Sequence, residues 1–240
     1  MPRDDLRFID LGRLAYRDAL GVQRAHAEEV LASREGGEPE LGRVLMVEHP
    51  AVITISARAG AAENLLASPE TLACEGVDVE PTDRGGDITY HGPGQLVVYP
   101  ILDLNRLMLN LHDYMRLLEQ AVIDACAALG VSCVRDPGAT GVWTEHEGVP
   151  AKIAAMGVRV RRWVSMHGLA LNVEPDLRHF GLIVPCGLAG RSVTSLRAVL
   201  GARAPSMEQA SAGVRAALEA LIRAAAARAD AHRAGAASGA

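Results

Sequence analysis

Two side chains in this 240-residue chain are suited to covalent chemistry. Cys186 sits in the turn Pro185-Cys186-Gly187, and Lys152 is the single lysine beside 23 arginines. A thiolate is the effective form of a cysteine nucleophile, and a neighbouring cation favours it. An inward-facing lysine beside a turn cysteine would supply that cation. It could also move a proton, which arginine hardly releases. Covalent catalysis through cysteine suits acyl transfer, because a thioester forms and breaks easily. His91 and His167 are rival partners for the thiol, and the sequence places none of the three next to Cys186. A G-x-S-x-G nucleophile elbow is absent.

The polar groups that would surround such a centre are concentrated in Arg84-Gly85-Gly86-Asp87-Ile88-Thr89-Tyr90-His91-Gly92-Pro93-Gly94-Gln95. Glycine lets another group approach the backbone closely. Here the glycines are interleaved with Arg84, Asp87, Thr89, Tyr90, His91 and Gln95, more polar groups than a turn needs. The stretch reads as a backbone-lined wall joined to the buried strand Leu96–Leu102. It matches neither phosphate-binding glycine motif.

The elements that must position these residues follow from periodicity. Leu6–Leu11 reads as a first strand and Leu14–Leu31 as an amphipathic helix ended by Gly36, Gly37 and Pro39. Val44–Val47 and Ala51–Ile55 read as two strands of one sheet, Arg58–Pro69 as loop, and Val77–Val79 as a short strand. Apolar residues at three- and four-residue spacing predict a helix from Leu111 to Leu129, stopped by Gly130. Val131–Val134 reads as a strand. Gly141–Thr144, Ala151–Val160 and Trp163–Val173 read as a meander, in which alternation sends Lys152 inward with Ala154, Met156 and Val158 unless a bulge intervenes. Ser206-Met207-Glu208-Gln209 matches a capping box that opens a last helix. Beyond Arg223 the chain is rich in Ala and Arg. The expected division is a catalytic domain over 1–223 and a frayed or disordered tail over 224–240.

The length suits one sizeable α/β domain. A formal net charge of −5 gives no nucleic-acid footprint, and no apolar run reaches the length of a membrane span. The N-terminal residues lack the apolar stretch of a secretory signal, so a cytoplasmic location is expected. Cys74, Cys126, Cys133 and Cys186 form no C-x-x-C pair and are expected as free thiols, Cys126 and Cys133 packed in the interior.

Four segments together resemble the signatures of lipoyl(octanoyl) transferases. They are Arg84–Gln95 with Leu96-Val97-Val98-Tyr99-Pro100, then Ala151-Lys152-Ile153-Ala154-Ala155-Met156-Gly157-Val158-Arg159, then His167-Gly168-Leu169-Ala170-Leu171-Asn172-Val173, and Pro185-Cys186-Gly187. They occur in the family's order. The resemblance implies a biotin/lipoate-ligase-like α/β fold, with a mixed sheet flanked by helices. It implies transfer of an octanoyl group from octanoyl-acyl-carrier protein to a lysine of lipoyl domains, in 2-oxoacid dehydrogenases and in the glycine cleavage H protein. Cys186 would hold the acyl thioester and Lys152 would activate it. Arg84, Gly85, Gly86, Asp87, Ile88, Thr89, Tyr90 and His91 would line the acyl-substrate pocket with Ala155, Met156, Gly157, Gly168, Leu169 and Ala170. No cofactor or metal is implied, and a monomer is expected. Two rivals are an ATP-dependent lipoate- or biotin-protein ligase and a non-enzymatic carrier-binding module. Cys186 and the expected lack of a C-terminal accessory domain weigh against the ligase.

Overall fold

The apolar strand runs assemble into a mixed sheet that carries the site. The structure, a computed structural model, describes residues 6–36, 40–184 and 191–238. Strand β1 (Leu6–Arg13) leads into helix α1 (Tyr16–Glu35), which ends at Gly36. Strands β2 (Gly42–Glu48) and β3 (Val52–Ser56) follow, then helix α2 (Pro69–Glu75), β4 (Asp78–Thr82), β5 (Ile88–His91) and β6 (Gln95–Leu102). Helix α3 (Leu111–Ala128) precedes β7 (Val134–Asp136), β8 (Ala139–His146), β9 (Val149–Arg161) and β10 (Val164–Asn172). The described chain closes with β11 (Ser192–Val193), α4 (Leu196–Leu200) and α5 (Met207–Ser238).

The large sheet runs β1-β2-β6-β10-β9-β8-β7, with β11 against β9. Its β1–β2 and β9–β11 pairs are parallel and the remaining pairs antiparallel. A small sheet, β4-β3-β5, stands apart. One face of the large sheet packs on α3 and α5 through Val98, Leu102, Leu118, Val122, Leu218 and Ile222. The other face packs on α1 through Ala19, Val30, Leu45, Tyr99 and Ile101. Ile53, Ile88, Tyr90 and Ile183 form the core of the small sheet. This is a mixed α/β domain of the expected class.

Several local readings need correction. Val44–Val47 and Ala51–Ile55 belong to different sheets, because β3 pairs with β4 and β5 while β2 pairs with β1 and β6. The corner between them is pinned by His49, whose Nδ1 lies 2.6 Å from the Leu14 carbonyl and whose Nε2 lies 2.9 Å from the Tyr99 hydroxyl. An apolar β-branched run announces a strand but not its partner. Helix α2 went unread, although Ser68 caps it, Pro69 opens it and Gly76 closes it in the left-handed region. The strand expected at Val131–Val134 begins only at Val134, because the Val131 N–H is spent on the Cys126 carbonyl at the end of α3.

The capping box at α5 is formed: Gln209 N–H donates to Ser206 Oγ, and Ser206 N–H to Gln209 Oε1. This helix continues past Arg223 to Ser238. Ala225, Ala226 and Ala229 are buried, the first two in the α3 core, because alanine gives a helix face small enough for close packing. Cutting the chain before Asp230 should therefore leave the melting temperature nearly unchanged. Cutting it after Arg223 should cost about 2 kcal/mol, at about 0.8 kcal/mol per buried methyl group. Equal thermal melts for the two truncations would show that the last turns contribute nothing.

Candidate functional site

Two cavities meet at the outer edge of β9. That strand pairs with β8 as far as Ala154, and the Gly85 N–H donates to the Val158 carbonyl at 2.8 Å. Between those points lie Ala155, Met156 and Gly157, which line both cavities. Gly157 must be glycine, since a Cβ there would sit 2.7 Å from the Gly85 carbonyl oxygen. The glycine-rich wall thus lies directly against the sheet edge.

The first cavity, about 30 Å³, is a slot on the α1 side. Arg84, Thr89 and His91 line it from the wall, and Gly168, Leu169 and Ala170 from β10. Val97, Tyr99, Tyr16 and His167 complete it. The second cavity, about 410 Å³, opens on the α3 side between Leu111, Met115, Gly85, Gly86 and Lys152.

Of the expected pocket residues, Asp87, Ile88 and Tyr90 line neither cavity. Strand alternation along β5 sends Thr89 and His91 to the slot and Ile88 and Tyr90 into the core of the small sheet. Tyr90 instead meets His179 Nδ1 at 2.8 Å, and burial pushes its phenol up to about 12. Asp87 accepts from Asn64 Nδ2 at 2.7 Å. Gly168 does border the slot, but a Cβ there would lie 2.3 Å from the Val98 oxygen and 2.6 Å from Pro100 Cδ. Gly168→Ala should therefore lower stability by about 3 kcal/mol, read as an earlier thermal melt. An unchanged melt would mean that the sheet does not require the glycine.

Lys152 is 8 % exposed. A bulge does intervene: Trp143 faces Lys152 and Val142 faces Ala154, so Ile153 is the extra residue. Lys152 nevertheless shares its cavity with Met156 and Val158, as alternation expects. Its Nζ lies 4.9 Å from the centre of the Trp143 ring, over which the Arg191 guanidinium also stands, at 4.7 Å. Val193 pairs with Lys152, and the Thr194 N–H donates to the Lys152 carbonyl at 2.9 Å.

From Thr194 a chain of hydrogen bonds crosses to the slot. Asn172 Nδ2 donates to the Thr194 carbonyl, and Gln95 Nε2 donates to Asn172 Oδ1 at 2.9 Å. Gln95 Oε1 therefore faces His91 Nδ1 at 2.6 Å as the acceptor, which fixes the proton on Nδ1. Burial drives His91 down to about 3, so at neutral pH the ring is an uncharged acceptor at Nε2.

At the other end of the slot, His167 Nε2 and Asp83 Oδ1 are 2.7 Å apart. Burial acts to raise the Asp83 carboxyl, but the hydrogen bond and charge of His167, with Arg159 and Arg24, hold it below the ordinary range. Burial lowers His167 against the pull of Asp83. Val158 is the register partner of His167, six residues along β9 from Lys152, or about 20 Å at strand rise. His167 is therefore remote from Lys152.

Cys186 lies outside the described residues, as do Pro185 and Gly187. Its described flanks are anchored. Before it, Val184 N–H donates to the Asn64 carbonyl at 2.8 Å; after it, Ser192 and Val193 pair with Ala151 and Lys152. Cys74, Cys126 and Cys133 are free, the latter two buried as expected. Tyr16, Tyr99 and Asp83 were not legible as site residues. Tyr16 reads as one more residue on a helix face and Tyr99 as part of an apolar run. Asp83 carries no motif.

Residues 16–219 match the model of the lipoyl protein ligase A/B catalytic domain. The chain is 50% identical over 196 residues to an octanoyltransferase of Citrifermentans bemidjiense, covering 81% of this chain and 86% of that one. It is 50% identical over 179 residues to an octanoyltransferase of Christiangramia forsetii, covering 73% and 76%. Among solved structures, a putative lipoate protein ligase from T. acidophilum with bound lipoic acid superposes with a TM-score of 0.64. It shares 15% identity, over 90% of this chain and 86% of that one. A lipoate-protein ligase A bound with ATP gives 0.64 at 14% identity, over 91% and 85%. These two likenesses concern the fold.

Proposed function

The chain belongs to the lipoyl protein ligase A/B catalytic-domain family, and from that membership we propose that it is an octanoyltransferase of protein lipoylation. The observation that carries this reading is the 50% identity to an octanoyltransferase over most of both chains. The donor is octanoyl-acyl-carrier protein and the acceptor a lysine of a lipoyl domain. The octanoyl tail enters beside Ala155, Gly157, Gly168 and Ala170, where the slot of about 30 Å³ must widen to take it, and the reacting carbonyl stands at the β9 edge, where the slot adjoins the cavity of Lys152.

In the first half-reaction Lys152 takes the Cys186 thiol proton, and the sulfur attacks the donor thioester carbonyl. The bond from that carbon to the carrier's sulfur breaks, and the carrier thiol leaves with the proton returned by Lys152. In the second half, the acceptor amine attacks the Cys186 thioester. The carbon–sulfur bond breaks, an amide forms, and the amine proton passes through Lys152 back to sulfur. The buried Lys152 and the anchored chain on both sides of Cys186 support these roles. His91, uncharged and with its one proton held on Nδ1 by Gln95, offers Nε2 as a hydrogen-bond acceptor near the carbonyl end.

The test omits nucleotide. With octanoyl-carrier protein and a lipoyl domain as the sole substrates, the acceptor should gain one octanoyl group by intact mass. Transfer that appears only with free octanoate and ATP would make the protein a ligase.

A further inference from the structure

We infer that His167 is the stop that limits the length of the acyl chain, an inference that rests on the octanoyl reading of the slot. The register gives the slot a direction. Ala155 pairs with Ala170 at the end nearer Lys152, Gly157 pairs with Gly168 further on, and Val158 pairs with His167 beyond. The two facing glycines bring the Gly85 and Val98 carbonyls close against the strands and add no side chain to the slot, so the imidazole is the next side chain on β10. From Ala155 to Val158 is three strand rises, about 10 Å, the reach of an extended eight-carbon chain.

The way His167 enters the slot is unusual. Its neighbours Met166 and Ala170 pack on the α1 side of the sheet and Leu169 on the α3 side. Alternation would send His167 to the α3 side with Leu169. Its φ is +58°, in the left-handed region that a residue with a Cβ rarely adopts. Its ring instead meets Tyr99, of the α1-side layer, edge to face at 6.2 Å.

Such a conformation persists only where the surroundings over-determine it. Here four contacts do so. Gln23 Oε1 on α1 accepts the His167 N–H at 2.8 Å, Asp83 holds Nε2, and Arg159 and Arg24 hold Asp83. The ring is 1 % exposed and Nδ1 has no hydrogen-bond partner. A side chain turned against the strand pattern, tethered at both ends and leaving a polar atom unused is poorly explained by packing alone. As a rigid end wall it has a purpose: a longer chain would have to displace a tethered ring.

The test compares octanoyl, decanoyl and dodecanoyl donors in the wild type and in His167→Gly. Glycine suits the positive φ and opens the end of the slot. The dodecanoyl-to-octanoyl ratio of kcat/KM should rise at least about tenfold, since one methylene in a shaped pocket discriminates about 10- to 200-fold. Free dodecanoate should likewise raise the melting temperature of the variant but not of the wild type. His167→Asn, which also tolerates this conformation, is the second variant should the glycine protein not fold. A wild type that transfers no octanoyl group from the carrier would overturn the functional reading. A wild type that does so, with folded variants that keep its chain-length ratio, would overturn the stop alone.

Discussion

Replacing Cys186 with alanine should abolish octanoyl transfer and leave no acyl adduct on the protein. Cys74→Ala, Cys126→Ala and Cys133→Ala should retain both. The contrast rests on chemistry that the described cysteines do not offer. Cys126 and Cys133 face each other in the interior, Cys126 keeping its proton as the donor to Cys133, and neither lines a cavity that a substrate could enter. Cys74 is exposed on α2 and lines neither cavity. Intact mass measured after mixing each variant with octanoyl-carrier protein reads the outcome directly. An adduct that survives the loss of Cys186 would overturn the thioester mechanism.

Lys152→Arg should fold normally and lose at least about a hundredfold in turnover, the lower end of the usual cost of removing a positioned acid–base group. The main chain at 152 is held by β11 and the Thr194 N–H, so the change falls on the side chain. That side chain passes close to Gly141, where a Cβ would lie 3.3 Å from Lys152 Cε. A planar guanidinium keeps the charge but does not release a proton, and it needs more room than the ammonium. The two functions of the lysine can therefore be separated. Alkylation of Cys186 should keep its pH dependence in Lys152→Arg. In Lys152→Met it should move to higher pH, because the cation that favours the thiolate is gone. Near wild-type turnover in Lys152→Arg would leave Lys152 with charge alone and the proton without a carrier.

The residues that carry these predictions differ in how far they could be read from the chain. Composition singled out Lys152, and periodicity sent it inward, both without any knowledge of the fold. The glycine-rich wall, the strand after it, the two long helices and the capping box at Ser206 were legible for the same reason: each is a local pattern, and local patterns follow from local backbone preference. Thr89 and His91 could be told from Ile88 and Tyr90 by alternation, but only once β5 was known to run from 88 to 91 and which of its faces met the large sheet.

What the sequence alone determined was thus the inventory: most strands and helices in order, an inward lysine, a cysteine set between proline and glycine, and a family resemblance carried by four segments. The tertiary structure decided which groups meet. β3 left the sheet of β2 for partners 26 and 39 residues further on, where Val52 pairs with Asp78 and His91, which no apolar run specifies. Asp83 became the anchor of His167 across a separation of 84 residues, and Gln23 reached the same residue across 144. The left-handed turn at His167, the glycine required at 168 by the Val98 carbonyl, and the alanine face that docks the end of α5 are likewise imposed by neighbours distant in the chain. Backbone preference is encoded within a few residues. Close approach, strain and shared burial exist only after the layers have packed.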